Sequence, residues 1–345
     1  MSAPRYLIVR LAAAGDVLLT TGLARALRLA VPQCRIGWLV SPYAAPMLHG
    51  NPDVDEILEV PVPPGAGARQ RLAAAVRWCA RLRRWTHGAA SVTALLAHRS
   101  PWLPVVLRAG GVGAIVQQAP DDPARHRLEQ LSGLLRGAGI TAPADGLQPR
   151  LHLSAEEQLR GEAWWLGAPR PRWILAPGGG ANPWAAMPTR RWPPGRFAEL
   201  ALRAATAGVS LRWLGGAEDA ALVAGITREL PAAAARSLAG RLSLRDAAAA
   251  CAAADLVIGN DSLPLVLAHA LGRPGLGLYG PTSGAAIHAP GQAWLQGQAG
   301  CGPCYDSRRG LSGTAYTCPR PRCMEAIPVG AVWAAACGAR EAAYG

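Results

Sequence analysis

The sequence predicts an α/β fold: two Rossmann-like, doubly wound domains facing a cleft, with a Cys-rich C-terminal segment. Three observations carry this expectation. Short apolar runs alternate with helix-length amphipathic stretches along most of the chain. The alternation stops in a Pro-, Ala- and Gly-rich stretch at residues 141–149 and then restarts. The 345 residues amount to two domains at ~100–200 residues each. The expected divisions are 1–150, 151–296 and 297–345.

The elements follow in order. Residues 6–11 form a short apolar run that predicts a buried strand, and residues 12–15 are a small-residue turn. Asp16 is placed to cap a helix whose apolar positions Val17, Leu18, Thr21, Leu23 and Leu27 lead to Pro32. Residues 35–40 and 56–60 predict two more strands, with a turn at Asn51-Pro52. Residues 67–86 predict an Arg-rich helix, 90–97 a strand and 125–137 an amphipathic helix. Beyond the linker the predicted strands are 173–176, 210–214, 256–259 and 275–279. The predicted helices there are 197–207, 218–230, 243–254 and 264–271. Ligands of such folds bind in crevices at the carboxyl ends of the strands.

Composition narrows the chemistry. Hydrophobic residues make up 50% and charged residues 17%, the balance of a globular chain. The net charge is +13, and every one of the 35 basic residues is Arg. The absence of Lys excludes a Walker A loop and a Schiff-base lysine. Phosphate binding therefore falls to Arg forks, backbone N–H groups and helix N-termini. The Arg residues are spread along the chain, and no zinc-finger, RRM or KH pattern is present, so nucleic acid is not an expected partner. The N-terminal apolar run is interrupted by Arg10 and Asp16, unlike a signal peptide. No segment offers the ~18 apolar residues of a membrane span. A cytoplasmic protein is expected, with its eight Cys as thiols or metal ligands rather than structural disulfides.

Three segments combine glycine, carboxylate and base in ways that suit phosphate chemistry. Asp16 follows Gly15 where a strand gives way to a helix, as a helix cap or as an exposed functional carboxylate. Gly178-Gly179-Gly180 follows a predicted strand, either as a plain loop or as backbone N–H donors for a phosphate, with Arg190 downstream. Asp261 or Ser262 is placed to cap a helix carrying Pro264 in its first turn, whose positive end suits a diphosphate. A fourth segment, Cys301-x2-Cys304, then Cys318-x4-Cys323, suits a thiolate site for Zn or Fe, with disulfides or reduced thiols as alternatives.

The run Arg10 to Thr21, then Trp38-Leu39-Val40 and Gly50 to Glu56, resembles the opening of the heptosyltransferase family, glycosyltransferase family 9, which has the GT-B fold. The Gly178–Gly180 loop, Arg190-Arg191-Trp192-Pro193, Gly215-Gly216-Ala217-Glu218, Leu238-Ala239-Gly240, Asp261-Ser262 and Gly280-Pro281-Thr282 follow in the family's order. The chain departs from the family pattern with Arg190 for Lys, Leu263 for Gly and Val266 for His. His269, three residues after Val266, is a candidate to replace that imidazole.

The resemblance implies an inverting glycosyltransferase without a catalytic metal. Residues 1–150 would be the acceptor side and 151–296 the nucleotide-sugar side. Asp16 would be the general base. Gly178, Gly179, Gly180, Arg190, Glu218, Asp261, Ser262, Leu263 and Thr282 would line the donor site, with Glu218 on the ribose. The donor implied is an ADP-sugar, ADP-heptose above others. The acceptor implied is a phosphorylated glycolipid of the lipopolysaccharide core, met at the inner membrane face, or a protein. Some relatives that glycosylate proteins hold iron through a Cys-rich tail, which places iron beside zinc as a structural metal. Two rival functions stand beside this reading: a protein O-heptosyltransferase with a metal-bound tail, and a catalytically impaired relative serving as a scaffold. A dinucleotide-binding dehydrogenase is disfavoured, because residues 10–16 offer one Gly where G-x-G-x-x-G is required.

Overall fold

The computed structural model describes residues 3–61, 67–97, 99–120, 122, 125–141, 147–183, 185–306 and 313–344. The chain divides into two compact units, Met1–His152 and Leu153–Gly345. Part of the expected linker, residues 142–146, lies outside the described residues. Beyond it the chain returns to the first unit, where the Arg150 N–H donates to Thr21 Oγ1 at 3.0 Å.

The first unit is built from β1 (Arg5–Val9), α1 (Ala14–Ala30), β2 (Arg35–Val40), β3 (Glu56–Glu59), α2 (Ala68–Thr86), β4 (Val92–Leu96), α3 (Leu103–Ala109), β5 (Ala114–Gln117) and α4 (Arg127–Gly137). Its five strands run parallel in the order β3-β2-β1-β4-β5. Strands buried on both faces read as continuous apolar runs, which is why Leu7-Ile8-Val9 and Ile36 to Val40 were legible. On one face Leu7, Val9, Leu39, Leu58 and Leu96 pack against Trp78, Leu82 and Trp85 of α2 and Leu103 and Leu107 of α3. The chain leaves β1 in one direction and reaches β4 in the other, so the carboxyl ends of β1 and β4 flank the topological switch point.

The second unit comprises α5 (Ala155–Ala163), β6 (Arg172–Ala176), the two-stranded hairpin of β7 (Ala181–Asn182) and β8 (Ala185–Ala186), α6 (Pro194–Thr206), β9 (Ser210–Trp213), α7 (Ala220–Thr227), α8 (Leu244–Ala252), β10 (Leu256–Asn260), α9 (Leu263–Ala270), β11 (Gly275–Tyr279), α10 (Gly284–Ile287), β12 (Ala293–Gln296), α11 (Thr314–Thr317), α12 (Arg322–Glu325) and α13 (Val329–Tyr344). Its main sheet is again parallel, in the order β12-β11-β10-β6-β9. The switch point falls between β6 and β10. Residues after 297 are part of this unit's core: Cys323, Met324, Ile327, Val332 and Ala336 pack with Trp173, Trp192, Phe197 and Leu276. No described helix is long and apolar enough to cross a membrane.

Candidate functional site

The first unit brings one predicted residue to its switch point. Asp16 lies in the first turn of α1, and Ala13 occupies the N-cap without a side-chain bond, so Asp16 is not the helix cap the sequence suggested. Its carboxylate pairs with Arg10, from the end of β1, and lies 2.8 Å from Arg127 Nη2 at the start of α4. The Arg10 guanidinium also donates to the Ala97 carbonyl at 2.5 Å, across the gap between β1 and β4. Burial pushes the Asp16 carboxyl up. Arg10 and Arg127, helped by the Ala13 N–H, outweigh it and hold the group well below the usual carboxylate range. The side chain keeps 24% of its surface exposed, with Oδ2 paired to Arg10 and Oδ1 to Arg127. Arg127 was missed in the sequence, because nothing in a local pattern ties α4 to the end of β1.

The second unit gathers Gly178–Gly180, Arg190, Asp261 and Ser262 at its own switch point. The hub is Asn260, the fully buried last residue of β10. Its amide donates to the carbonyls of Pro177 and Gly178 at 2.9 and 3.0 Å and accepts from the Trp192 N–H at 3.0 Å. One side chain therefore ties the glycine loop, the Trp192 segment and the start of α9 together. Asn260 was not singled out in the sequence; an amide between Gly259 and Asp261 at a strand end was the available signal.

The glycines are fixed by close approach. A Cβ on Gly178 would lie 2.4 Å from the Asp219 carboxylate, and one on Gly179 would lie 2.3 Å from the Met187 carbonyl oxygen. Gly180 has φ of +77°, the left-handed region open to glycine. The position of its missing Cβ is 3.5 Å from Arg190 Nη1, 3.5 Å from the Asp261 carbonyl oxygen and 3.8 Å from Ser262 Cβ. Loop, arginine and helix start thus converge on one place.

Arg190 is positioned by three contacts with two neighbours. Its Nη1 donates to the Asp261 carbonyl at 3.2 Å, its Nε lies 3.2 Å from Asp261 Oδ2, and its guanidinium sits over the Tyr305 ring at 5.7 Å. Tyr305 was not anticipated. It arrives because the N–H groups of Cys304 and Tyr305 both donate to the Pro281 carbonyl, at 2.9 and 2.8 Å.

Ser262 takes the N-cap position of α9, but its hydroxyl donates to the Asn260 carbonyl and caps nothing, and Asp261 does not cap the helix either. Among the described residues no N-cap side chain bonds the start of α9; the Leu265 N–H donates back to the Ser262 carbonyl at 3.2 Å, and this first turn carries the positive helix end. Leu263 opens the helix proper, and Pro264 stands in its first turn, where a missing N–H costs nothing. His269 lies in the last turn of α9, at the far end from these N–H groups. Thr282 is buried, and its hydroxyl has no hydrogen-bond partner among the described residues.

The acidic residue that the structure buries is Asp219, not Glu218. Asp219 accepts from the Gly216 N–H at 3.3 Å and pairs with Arg191 at 3.2 Å, while the exposed Glu218 folds over Gly216. Burial pushes the Asp219 carboxyl up, against the pull of Arg191. Trp192 is a packing anchor, as its lack of exposure shows; its indole N–H donates to the Ile327 carbonyl at 2.9 Å.

The four tail cysteines lie near one another. Burial, then the charges of Cys301 and Cys318, push the Cys304 thiol up, and Cys323 is pushed up mainly by burial, with Cys304 and Cys301 adding to it. All four are free, yet no group of three or more His, Cys, Asp or Glu among the described residues is arranged to hold a metal ion. The expected Zn or Fe centre at Cys301, Cys304, Cys318 and Cys323 is therefore not formed by the residues as they stand. The physical difference is burial: Cys301 is exposed and Cys323 is buried under Gly280.

Comparison with known proteins agrees with this geometry. The model of glycosyltransferase family 9 (heptosyltransferase) matches residues 110–307. Lipopolysaccharide heptosyltransferase 2 of Salmonella typhimurium is 28% identical over 288 residues, covering 78% of this chain and 80% of that protein. A family 9 glycosyl transferase from Veillonella parvula superposes with a TM-score of 0.81 at 20% identity, over 99% of this chain and 98% of that one. The E. coli ADP-heptose lipopolysaccharide heptosyltransferase II superposes with a TM-score of 0.76 at 20% identity, over 99% of this chain and 100% of that one. With a family match spanning more than half its length and the family's fold, this chain belongs to glycosyltransferase family 9, the heptosyltransferases, and is a glycosyltransferase.

Proposed function

We propose that the enzyme transfers a heptose from ADP-heptose, with inversion, to a hydroxyl of a phosphorylated lipopolysaccharide-core acceptor at the inner membrane face. The observation that carries this reading is the convergence at Gly180 of Arg190 and the uncapped start of α9. A leaving diphosphate needs neutralisation as the glycosidic bond breaks. Preorganised N–H donors and a guanidinium fork supply it without reorganisation at the moment of reaction. The proposed donor residues are Gly178, Gly179, Gly180, Arg190, Asp261, Ser262, Leu263 and Thr282, with Glu218 toward the ribose.

Asp16 is the proposed base, taking the acceptor hydroxyl proton as its oxygen attacks the anomeric carbon. The flanking arginines make Asp16 a weak base, which suits an oxocarbenium-like transition state where the attacking hydroxyl acidifies late. No step is routed through the tail cysteines or through a metal. The test is turnover: protein with ADP-heptose and heptose-deficient core acceptor, followed by ADP release and by the anomeric configuration of the product. Inverted product supports the reading. Nucleotide binding without transfer to the glycolipid, but with transfer to a polypeptide, replaces the acceptor. No nucleotide binding at all leaves a scaffold.

A further inference from the structure

We propose that the α2–α3 face of the first unit is a docking surface for an anionic lipid bilayer. The inference is independent of the donor site and deepens only the expected membrane contact. It starts from charge segregation. Residues 60–120 contain eight Arg and neither Asp nor Glu, although the chain has 22 acids in all. Six of those Arg belong to α2, whose sequence is ARQRLAAAVRWCARLRRWT.

The helix buries one side and leaves the other unpartnered. Ala74, Trp78, Leu82 and Trp85 recur at helical spacing and pack into the unit's core. The opposite side presents exposed Arg69, Arg77 and Arg84 with Leu72 and Val76, which are 68% and 62% exposed. Aliphatic side chains placed one turn apart on a solvated face have no folding role there. Trp102 and Val105, at the start of α3, are 46% and 69% exposed, and the Trp102 ring packs on Trp78 at 5.3 Å. Two neighbouring helices therefore display four large apolar groups beside a row of guanidinium groups. That combination suits an interface of acyl chains and anionic headgroups, with Trp at headgroup level.

A basic pocket continues the face. About 460 Å³ of space is lined by Arg5, Arg35, Arg81 and Arg84 with Trp85 and Glu56. The Arg35–Glu56 pair at 2.9 Å answers one of these charges, leaving an excess of cations. Arg5, Arg35 and Glu56 are the first residues of β1, β2 and β3, so the pocket lies at the amino edge of the sheet. Asp16 lies at the carboxyl edge, about 16 Å away along a five-residue strand. The pocket is thus separate from the proposed base and fits a phosphate headgroup. The exposed aliphatic groups Leu72, Val76 and Val105 distinguish the face from a nucleic-acid groove, which stacks successive bases on aromatic rings, here offered by Trp102 alone among the exposed large hydrophobic residues described on this face.

The test is co-sedimentation of the full chain with phosphatidylcholine vesicles, with and without phosphatidylglycerol. The surface predicts binding to the anionic vesicles that exceeds neutral ones by about tenfold or more and falls with added salt. Arg77→Glu/Arg84→Glu should lower anionic binding at least ~tenfold, and Leu72→Ser/Val76→Ser should also weaken it. Both variants should keep the wild-type circular dichroism and ADP affinity, which separates lost docking from lost folding and from failure of the donor-site reading. Equal binding to both vesicle types, or anionic binding that neither variant changes, would overturn the proposal. So would single-stranded DNA binding that depends on Arg77 and Arg84 while vesicle binding is absent.

Discussion

The two units treat charge in opposite ways. In the first, the candidate base is consumed by its own neighbours: Asp16 carries two guanidinium partners, while Arg69, Arg77, Arg81, Arg83 and Arg84 of α2 are exposed on a helix that carries no acid. In the second, several outer arginines are matched, as in Arg245 with Glu157, Arg170 with Asp255 and Arg172 with Glu162, while Arg190 and the start of α9 converge at Gly180. Glycine backbone, Arg190 and a helix start brought together at Gly180 are what the proposed diphosphate site asks of the second unit. A carboxylate held ionised between two cations, beside a basic helix face, is what the proposed acceptor-side role asks of the first unit. The same doubly wound sheet serves both because the switch-point loops, not the strands, carry the difference.

The comparison can be broken at either end. Asp16→Ala should lower turnover by ~10²–10⁴, the scale of a lost general base, while ADP affinity stays unchanged in a titration. Unchanged turnover would remove Asp16 from the chemistry. Arg190→Ala should cut turnover by ~10²–10³ and weaken ADP binding together with it. Arg190→Lys should restore part of the loss, since charge survives without the fork.

Two smaller effects sharpen the picture. Asn260→Ala strands the Trp192 N–H and two carbonyls in a buried position and should destabilise the protein by about 2–3 kcal/mol, read from urea unfolding. Arg127→Gln removes one of the two cations that depress Asp16, so the pKa of its carboxyl should rise toward the ordinary carboxylate range. The acidic limb of kcat/KM should rise with it. The sign is fixed: a depressed carboxylate contributes stability above its ordinary titration range and loses it as pH falls through the folded value. The variant should therefore lose less stability than the wild type on acidification, and an unmoved limb would show that Asp16 is not the titrating base.

Much of the fold was legible. Leu7-Ile8-Val9, Trp173 to Ala176 and Leu256 to Gly259 are apolar runs between turn residues, and they are the inner strands of the two sheets. Edge elements were not. β5 and β12 are four-residue edge strands, only partly buried, and their apolar triplets Ala114–Val116 and Ala293–Leu295 do not stand out from the Ala- and Gly-rich sequence around them. α5 was missed although Ser154 and Glu157 form a capping box, a signal that was present in the sequence. The tail was read through its cysteines, whereas its apolar residues complete the core of the second unit.

The candidate site divides along the same line. Glycines and the helix start were legible because close approach and N-terminal geometry leave local patterns. Arg127, Asn260 and Tyr305 were not given their roles, because their partners lie far off in sequence and only the fold joins them.

The most direct test is a calorimetric titration of the full chain with ADP and, separately, UDP, repeated with Arg190→Ala and Asp16→Ala. Micromolar binding of ADP that survives in Asp16→Ala and fails in Arg190→Ala is the predicted result. Absence of nucleotide binding, or binding indifferent to Arg190, would contradict a diphosphate site built from the Gly180 loop, Arg190 and the start of α9.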